Sequence, residues 1–429
     1  MRFVLAFNGT RGDIQPAVVL GAELKQRGHE VVFGAPPNLV DFAIRAGLDA
    51  RPFGYDTRAH MNSELIRDGM RTGGPLKRLR ALAEIRDHGW NEMVDEMFDL
   101  CEGADAIVTG FTTQQIAFAF AQRDSIPLFA LHHAPVTENP HVSPFPGASL
   151  TVPSRVNTAA WELVDTAFWW LTRGRENRLR QRLGIASATK SLPQRMADYG
   201  AVEIQAYDPI FCPDLPSVWG DRRPLVGFLG LPEELRSRIG IDGLDLETDN
   251  WIDEGTPPIY FGFGSMPVRD SGALLGAIDE ACEALGERAL VCAGWNDFDQ
   301  IASERLRVVG AVDHDRTFGR CRGIVHHGGA GTTSAAIRAG KPALVCWVGS
   351  DQPFWGHQLE RLGVGSSTRL KGLGSAGLTE KLRGLLGETP SRKARELASR
   401  LIASEQAIST AADLIEGAAP DHHLPRLSA

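Results

Sequence analysis

Two histidines, three glycines and two threonines crowd into one run, His326-His327-Gly328-Gly329-Ala330-Gly331-Thr332-Thr333. That set suits a multiply charged oxyanion. Glycines let the backbone turn tightly and approach a ligand, and hydroxyls and imidazoles supply hydrogen bonds. A helix opening directly after them presents unpaired N–H groups and a partial positive charge, which is what a diphosphate needs. The common phosphate signatures are absent. Gly340-Lys341 runs into Pro342 without the earlier glycine of a P-loop, and Ser334 stands where G-x-G-x-x-G needs its third glycine. Spacing alone therefore leaves two readings, a phosphate cradle or an ordinary strand-to-helix turn. Asp313-His314-Asp315 has the form of a metal-binding carboxylate pair, but it precedes a short helix, where aspartate caps free amides. No His/Cys cluster has zinc spacing, and no metal site is expected.

Several elements must position these residues. Residues 323–327 read as a short buried strand, and a helix begins at Thr332-Thr333, shows an apolar face at Ala335, Ala336 and Ala339, and stops at Gly340. The next strand, 341–347, ends just before Asp351 and Gln352. The first half of the chain alternates in the same way. A strand at 2–7 leads into the turn Asn8-Gly9-Thr10-Arg11-Gly12-Asp13, and Asp13 reads as N-cap of a helix over 14–27. Strands at 30–35, 48–53, 105–109, 126–131 and 203–206 follow, with helices at 38–46, 159–183 and 193–199. Such alternation implies parallel sheets covered on both faces, so the fold class is α/β with two doubly wound, Rossmann-like halves. Ligands bind outside the carboxyl ends of such strands, which sends residues 8–13 and 132–135 to one cleft. Residues 209–258, rich in Pro, Gly and Asp, read as the junction, and alternation resumes at strand 259–264. The expected domains are 1–210, a linker at 211–257, 258–400, and a returning helix and tail at 401–429. Helices at 378–386 and 391–416 close the chain.

The 429 residues suffice for two domains with real cores. A net charge of -8 argues against a polyanion-binding surface, and nucleic acid is not an expected partner. Arg67, Arg71, Lys77, Arg78 and Arg80 form a local basic cluster, read as a solvated helical face or as a site for an anionic acceptor. Six cysteines without a CxxC pair read as buried, reduced thiols. Only five apolar residues follow Met1-Arg2, too few for a signal sequence, and a cytoplasmic location is expected. The apolar run 158–171 is broken by Glu162 and Asp165 and is too short to span a bilayer, so membrane contact is at most peripheral.

HHGGAGTT followed by SDQPFWGHQLERLGVG resembles the donor-binding signature of the GT-B glycosyltransferases. PPIYFGFGSMP, ERALVCAGW and VEIQAYD extend the likeness to sterol, glycolipid and antibiotic glycosyltransferases, nearest to those acting on mycobacterial glycolipids. The resemblance covers nearly the whole chain and implies two domains facing across a cleft, the first binding the acceptor and the second the nucleotide sugar. It places His326 and the amides of Gly328, Gly329, Ala330, Gly331, Thr332 and Thr333 against the diphosphate, with Ser265 as a second contact. Asp351 and Gln352 match the acid–amide pair that holds sugar hydroxyls. The nucleotide base would lie near Val312, and Trp295 would line that cleft or serve the core. Asp13 matches the aspartate that sterol and antibiotic members use as catalytic base, where many others have histidine. A base there, opposite the diphosphate, implies inversion at the anomeric carbon. His132, His133, Phe145, Trp169 and Trp170 are acceptor-wall candidates on placement alone.

The expected reaction moves a hexose or deoxyhexose from a UDP- or dTDP-sugar to a hydroxyl of an apolar acceptor such as a glycolipid, sterol-like compound or polyketide. No cofactor is expected beyond that donor. A non-hydrolysing sugar-nucleotide epimerase of the same fold and an inactive sugar-nucleotide-binding protein are the alternatives.

Overall fold

In a computed structural model the described residues are 1–61, 63, 87–145, 153–241, 243–266, 268, 270–296, 298 and 303–418. The basic cluster at Arg67–Arg80 lies outside them. The chain divides into two compact units. The described residues up to Ile239 and from Ile402 onward form the first, and those of 240–401 form the second, so the division falls within the Pro/Gly-rich stretch 211–257.

The first unit contains β1 (Arg2–Ala6), α1 (Arg11–Gln26), β2 (Glu30–Ala35), α2 (Val40–Arg45), β3 (Asp49–Pro52), α3 (Trp90–Leu100) and β4 (Ala106–Gly110). Then come α4 (Gln114–Asp124), β5 (Leu128–His132), α5 (Ser154–Arg182), α6 (Leu192–Tyr199) and β6 (Val202–Gln205). All six strands run parallel in the order β3-β2-β1-β4-β5-β6. The second unit repeats the plan with β7 (Ile259–Gly262), α7 (Ser271–Leu285), β8 (Ala289–Cys292), β9 (Leu306–Val309), α8 (His314–Phe318), β10 (Gly323–His326), α9 (Ala330–Arg338), β11 (Ala343–Trp347), α10 (Gln352–Leu362), β12 (Gly365–Arg369), α11 (Ser375–Leu385) and α12 (Glu388–Ala398). Its strand order is β12-β11-β10-β7-β8-β9, again all parallel. The central strands are short runs of Phe, Val, Leu, Ile and Ala buried on both faces, as parallel strands covered by helices must be. Each order reverses between two central strands, β1/β4 and β7/β10, and such switch points open crevices at the strand carboxyl ends.

Two expectations change. The first helix starts at Arg11, not Ile14, because Thr10 takes the N-cap and Asp13 sits three residues in as the reciprocal partner of a capping box. The expected helix over 391–416 is broken. It becomes α12 and α13 (Ser404–Ala418), and the break coincides with passage from one unit to the other. There Asp208 accepts from the Ile402 amide at 2.7 Å.

Helix α13 belongs to the first unit and lies along α1. The Arg27 guanidinium donates to Asp413 and Glu416, at 2.6 Å each, and to the Ser409 hydroxyl at 2.9 Å. His29 bonds Glu416 at 2.6 Å. The His29 and Arg27 contacts hold the Glu416 carboxyl below its ordinary range.

Candidate functional site

At the switch point of the second unit, β10 ends on His326 and the chain turns through Gly328, whose φ of +99° suits only glycine. A Cβ there would lie 2.7 Å from Val345 Cγ1 and 3.0 Å from Gln352 Cβ, so the turn packs directly on the start of α10. Gly329 is the extended N-cap of α9 and brings no side-chain cap. Thr333 N–H is the first amide bonded back, to Gly329 O at 2.9 Å. Among the described residues the amides of Ala330, Gly331 and Thr332 have no partner, and a Cβ on Gly331 would meet nothing within 4 Å. That open first turn leaves three unpaired N–H donors at a helix N-terminus, the arrangement an anion needs. The Thr333 side chain is not part of it, because its hydroxyl bonds back to Gly329 O at 2.9 Å inside the core.

The two histidines have different surroundings. His326 is fully buried, its Nδ1 accepts from the Gly328 amide at 3.1 Å, and its Nε2 has no partner among the described residues. It stabilises the turn from the core side. His327, half-buried, is the ring beside the open turn. A Cβ on Gly329 would lie 2.7 Å from its Nε2, and one on Gly264 would lie 2.8 Å from its Cε1. Strand alternation requires opposite faces but does not say which face is the ligand's. Burial lowers both pKa values, His326 well below the ordinary value and His327 to about 4, so both rings are neutral donors or acceptors near pH 7.

The loops after β7 and β8, which carry Ser265 and Trp295, meet through their backbones. Trp295 N–H donates to Gly264 O at 3.0 Å, and a Cβ on Gly294, at φ +60°, would sit 2.5 Å from that same oxygen. Gly294→Ala is therefore expected to cost about 2–4 kcal/mol and lower the melting temperature. Gly276→Ala, on the exposed face of α7 with nothing near its Cβ, should leave stability unchanged or slightly raised in the same melts.

Val312 is half-buried in the turn before α8. Asp313 caps that helix, its Oδ1 accepting from Asp315 N–H at 3.0 Å and Arg316 N–H at 3.4 Å. Asp351 Oδ2 accepts from the buried Trp355 indole at 2.9 Å. Gln352 is buried, and its Oε1 accepts from the amides of Val348 at 2.8 Å and Gly349 at 3.2 Å. The amide oxygen of Gln352 thus shapes the loop, in which Ser350 holds a left-handed φ of 56°.

In the first unit, Asp13 sits at the matching switch point, after β1. Its Oδ2 accepts from the Thr10 amide at 2.8 Å and the Thr10 hydroxyl at 3.2 Å. A Cβ on Gly9 would lie 2.4 Å from the same oxygen, so glycine is required where the carboxylate folds back. Burial raises the Asp13 pKa, and the Thr10 bonds hold back part of that rise. The His133 ring reaches the Asp13 backbone, and the charge of Asp13 adds to the burial that raises the Tyr55 pKa. Thr10, Gly9 and Tyr55 were not among the expected site residues; the Thr10-x-x-Asp13 spacing of a capping box was the available signal.

His132 is not a wall residue. It is buried in a polar network, with Nε2 3.1 Å from Gln114 Oε1 and Nδ1 3.4 Å from Gln205 Nε2. Trp169 and Trp170 lie on α5, Trp170 and Phe145 more than half exposed. Burial drives His132 and His133 to about 4, like His327. Lowered histidine pKa values mean that the unfolded chain takes up protons first as pH falls. Stability should therefore drop between about pH 6.5 and pH 4, by about 3 kcal/mol for His132 alone. Denaturant melts across that range test it, and a flat profile would contradict the buried, neutral rings.

The glycosyltransferase family 28 N-terminal domain matches residues 3–88, and the C-terminal domain named for erythromycin biosynthesis protein CIII matches 295–416. An uncharacterized glycosyltransferase of Mycobacterium tuberculosis is 39% identical over 422 residues, covering 98% of this chain and 99% of its own. The chain belongs to the GT-B glycosyltransferases. A sterol 3-beta-glucosyltransferase of Arabidopsis thaliana is 28% identical, covering 86% of this chain and 58% of its own. The glycosyltransferase VinC, solved in complex with dTDP, superposes with a TM-score of 0.64 at 17% identity, covering 97% of this chain and 99% of its own. That likeness carries the fold. This glycosyltransferase thus has the doubly wound pair of sheets expected of GT-B, and the changed helix boundaries leave that plan intact.

Proposed function

We propose that this glycosyltransferase moves a hexose or deoxyhexose from a UDP- or dTDP-sugar to a hydroxyl of an apolar acceptor, with inversion and without a metal. The open first turn of α9, bordered by His327 at the β7/β10 switch point, carries this reading. In the transfer the acceptor oxygen bonds to the anomeric carbon as the bond to the diphosphate breaks. The departing oxygens gain charge, which in this reading the unpaired amides of Ala330, Gly331 and Thr332 stabilise together with the neutral His327 ring. Asp351, steadied by Trp355, is the acceptor for donor-sugar hydroxyls. Asp13 takes the proton of the attacking hydroxyl through Oδ1, since the Thr10 bonds occupy Oδ2.

The dTDP complex of VinC and the sterol specificity in the name of the Arabidopsis relative support this donor and acceptor class. Asp313, committed to capping α8, argues against a metal carboxylate pair there. Excess chelator is expected to leave the transfer rate unchanged, and strong inhibition reversed by a divalent cation would overturn the metal-free reading. A donor panel of UDP- and dTDP-sugars against sterol, glycolipid and macrolide acceptors, followed by mass spectrometry, tests the function itself. The anomeric configuration of the product, read by NMR, tests inversion.

A further inference from the structure

Helix α5 is amphipathic in the wrong sense for a helix that meets only water. Beside Trp161 and Leu179 its inward side buries polar groups: Glu176 accepts from Gln115 Nε2 at 2.8 Å and pairs with Arg195 at 2.6 Å, while Thr172 and Arg180 are buried beside it. Its outward side carries an apolar stripe. Val156, Leu163 and Trp170 recur at seven-residue spacing and are 52%, 67% and 55% exposed, with exposed Ala159 and Ala167 between them. From Val156 to Gly174 no charged residue falls on that stripe, a length of about 27 Å at the rise of an α-helix. Phe168, 48% exposed, widens one edge.

The flanks carry positive charge. Arg155, Arg173 and Arg178 are exposed on α5 against a single exposed acid, Glu162, in a chain whose net charge is -8. Arg173 lies 3.6 Å from the Trp170 ring centroid, an aromatic–guanidinium pair suited to the boundary between acyl chains and headgroups. Tryptophan and leucine in an apolar stripe with arginine at its borders is the composition of helices that lie in a bilayer interface. No helix among the described residues is long and apolar enough to cross a membrane, so the contact is with the surface.

We propose that the outward face of α5 docks this protein on a bilayer surface bearing anionic lipid. Apolar side chains enter the headgroup boundary, and the arginines face lipid phosphates. The proposal is independent of which acceptor is glycosylated, because its readout is vesicle binding.

The test is sedimentation of the full chain with vesicles of phosphatidylcholine alone or with about one-third phosphatidylglycerol. Binding to the anionic vesicles, weakened by salt and accompanied by a blue shift of tryptophan emission, is expected. Leu163→Glu with Ala167→Glu should lower the partition coefficient about tenfold or more, and Arg155→Glu with Arg178→Glu should abolish the preference for anionic vesicles. Unchanged melting temperatures would show both variants folded. Three results overturn the proposal: no partition into either vesicle, partition indifferent to Leu163→Glu with Ala167→Glu, or a lipid-free dimer that the same pair of substitutions dissociates. The last would identify a second copy of the chain as the occupant of this face.

Discussion

Asp13→Ala is expected to lower kcat for transfer about a thousandfold, the usual worth of a positioned general base, while the Kd for UDP or dTDP stays within about twofold. The carboxylate belongs to the first unit and the open turn of α9 to the second, so losing one is expected to leave the other's chemistry intact. Its pH dependence has a definite sign. A general base works only when ionised, and burial raises the Asp13 pKa above the ordinary 3.8, so with Asp13 as base activity should fall on acidification before an ordinary aspartate would protonate. Stability runs the other way. A carboxyl with a raised folded-state pKa holds its proton more tightly in the fold than in the unfolded chain, so ionisation weakens the fold as pH rises. Asp13→Asn keeps an oxygen for the Thr10 bonds and carries no charge. It should be as inactive as alanine and melt higher than the native protein near pH 7. An inactive variant that also melts lower and loses nucleotide affinity would make Asp13 a structural cap only.

The second large effect concerns the histidine pair. His327→Ala is expected to lower kcat/KM about a hundredfold or more, as loss of one oxyanion donor does, and to weaken UDP or dTDP binding with little change in melting temperature. His326→Ala should do the reverse. It empties a fully buried site and leaves the Gly328 amide without its acceptor, so about 2–4 kcal/mol of stability should be lost. Thermal melts and nucleotide titration on both variants separate the roles. A folded His326→Ala protein with lost nucleotide affinity, beside an unaffected His327→Ala, would restore the assignment made from the family pattern.

How far the sequence carried differs from residue to residue, for physical reasons. Strands and helices were legible because apolar runs and glycine stops are local, and alternation gave the doubly wound class. The strand order was not legible, since it rests on pairings between residues far apart in sequence. His326 and His327 show the limit of a two-residue period: it separates faces without naming the ligand's. Asp13 was placed correctly along the chain but given the wrong capping role, because an N-cap and the third position of a capping box favour overlapping residue types. Ser399-Arg400-Leu401-Ile402-Ala403 contains no glycine or proline, and helical periodicity runs straight through it. What breaks the helix there is tertiary, with Asp208 taking the Ile402 amide. His132 was invisible as a core residue for the same reason, as its partners Gln114 and Gln205 lie on separate elements.

Because α13 is held to α1 by Arg27 and His29, the amino-terminal unit is discontinuous in the gene. During translation its β1–β6 sheet emerges long before the segment that covers α1, with the entire second unit synthesised in between. The first unit must therefore wait on the ribosome with α1 uncovered, and early termination within the last codons for α13 would damage the lobe encoded first.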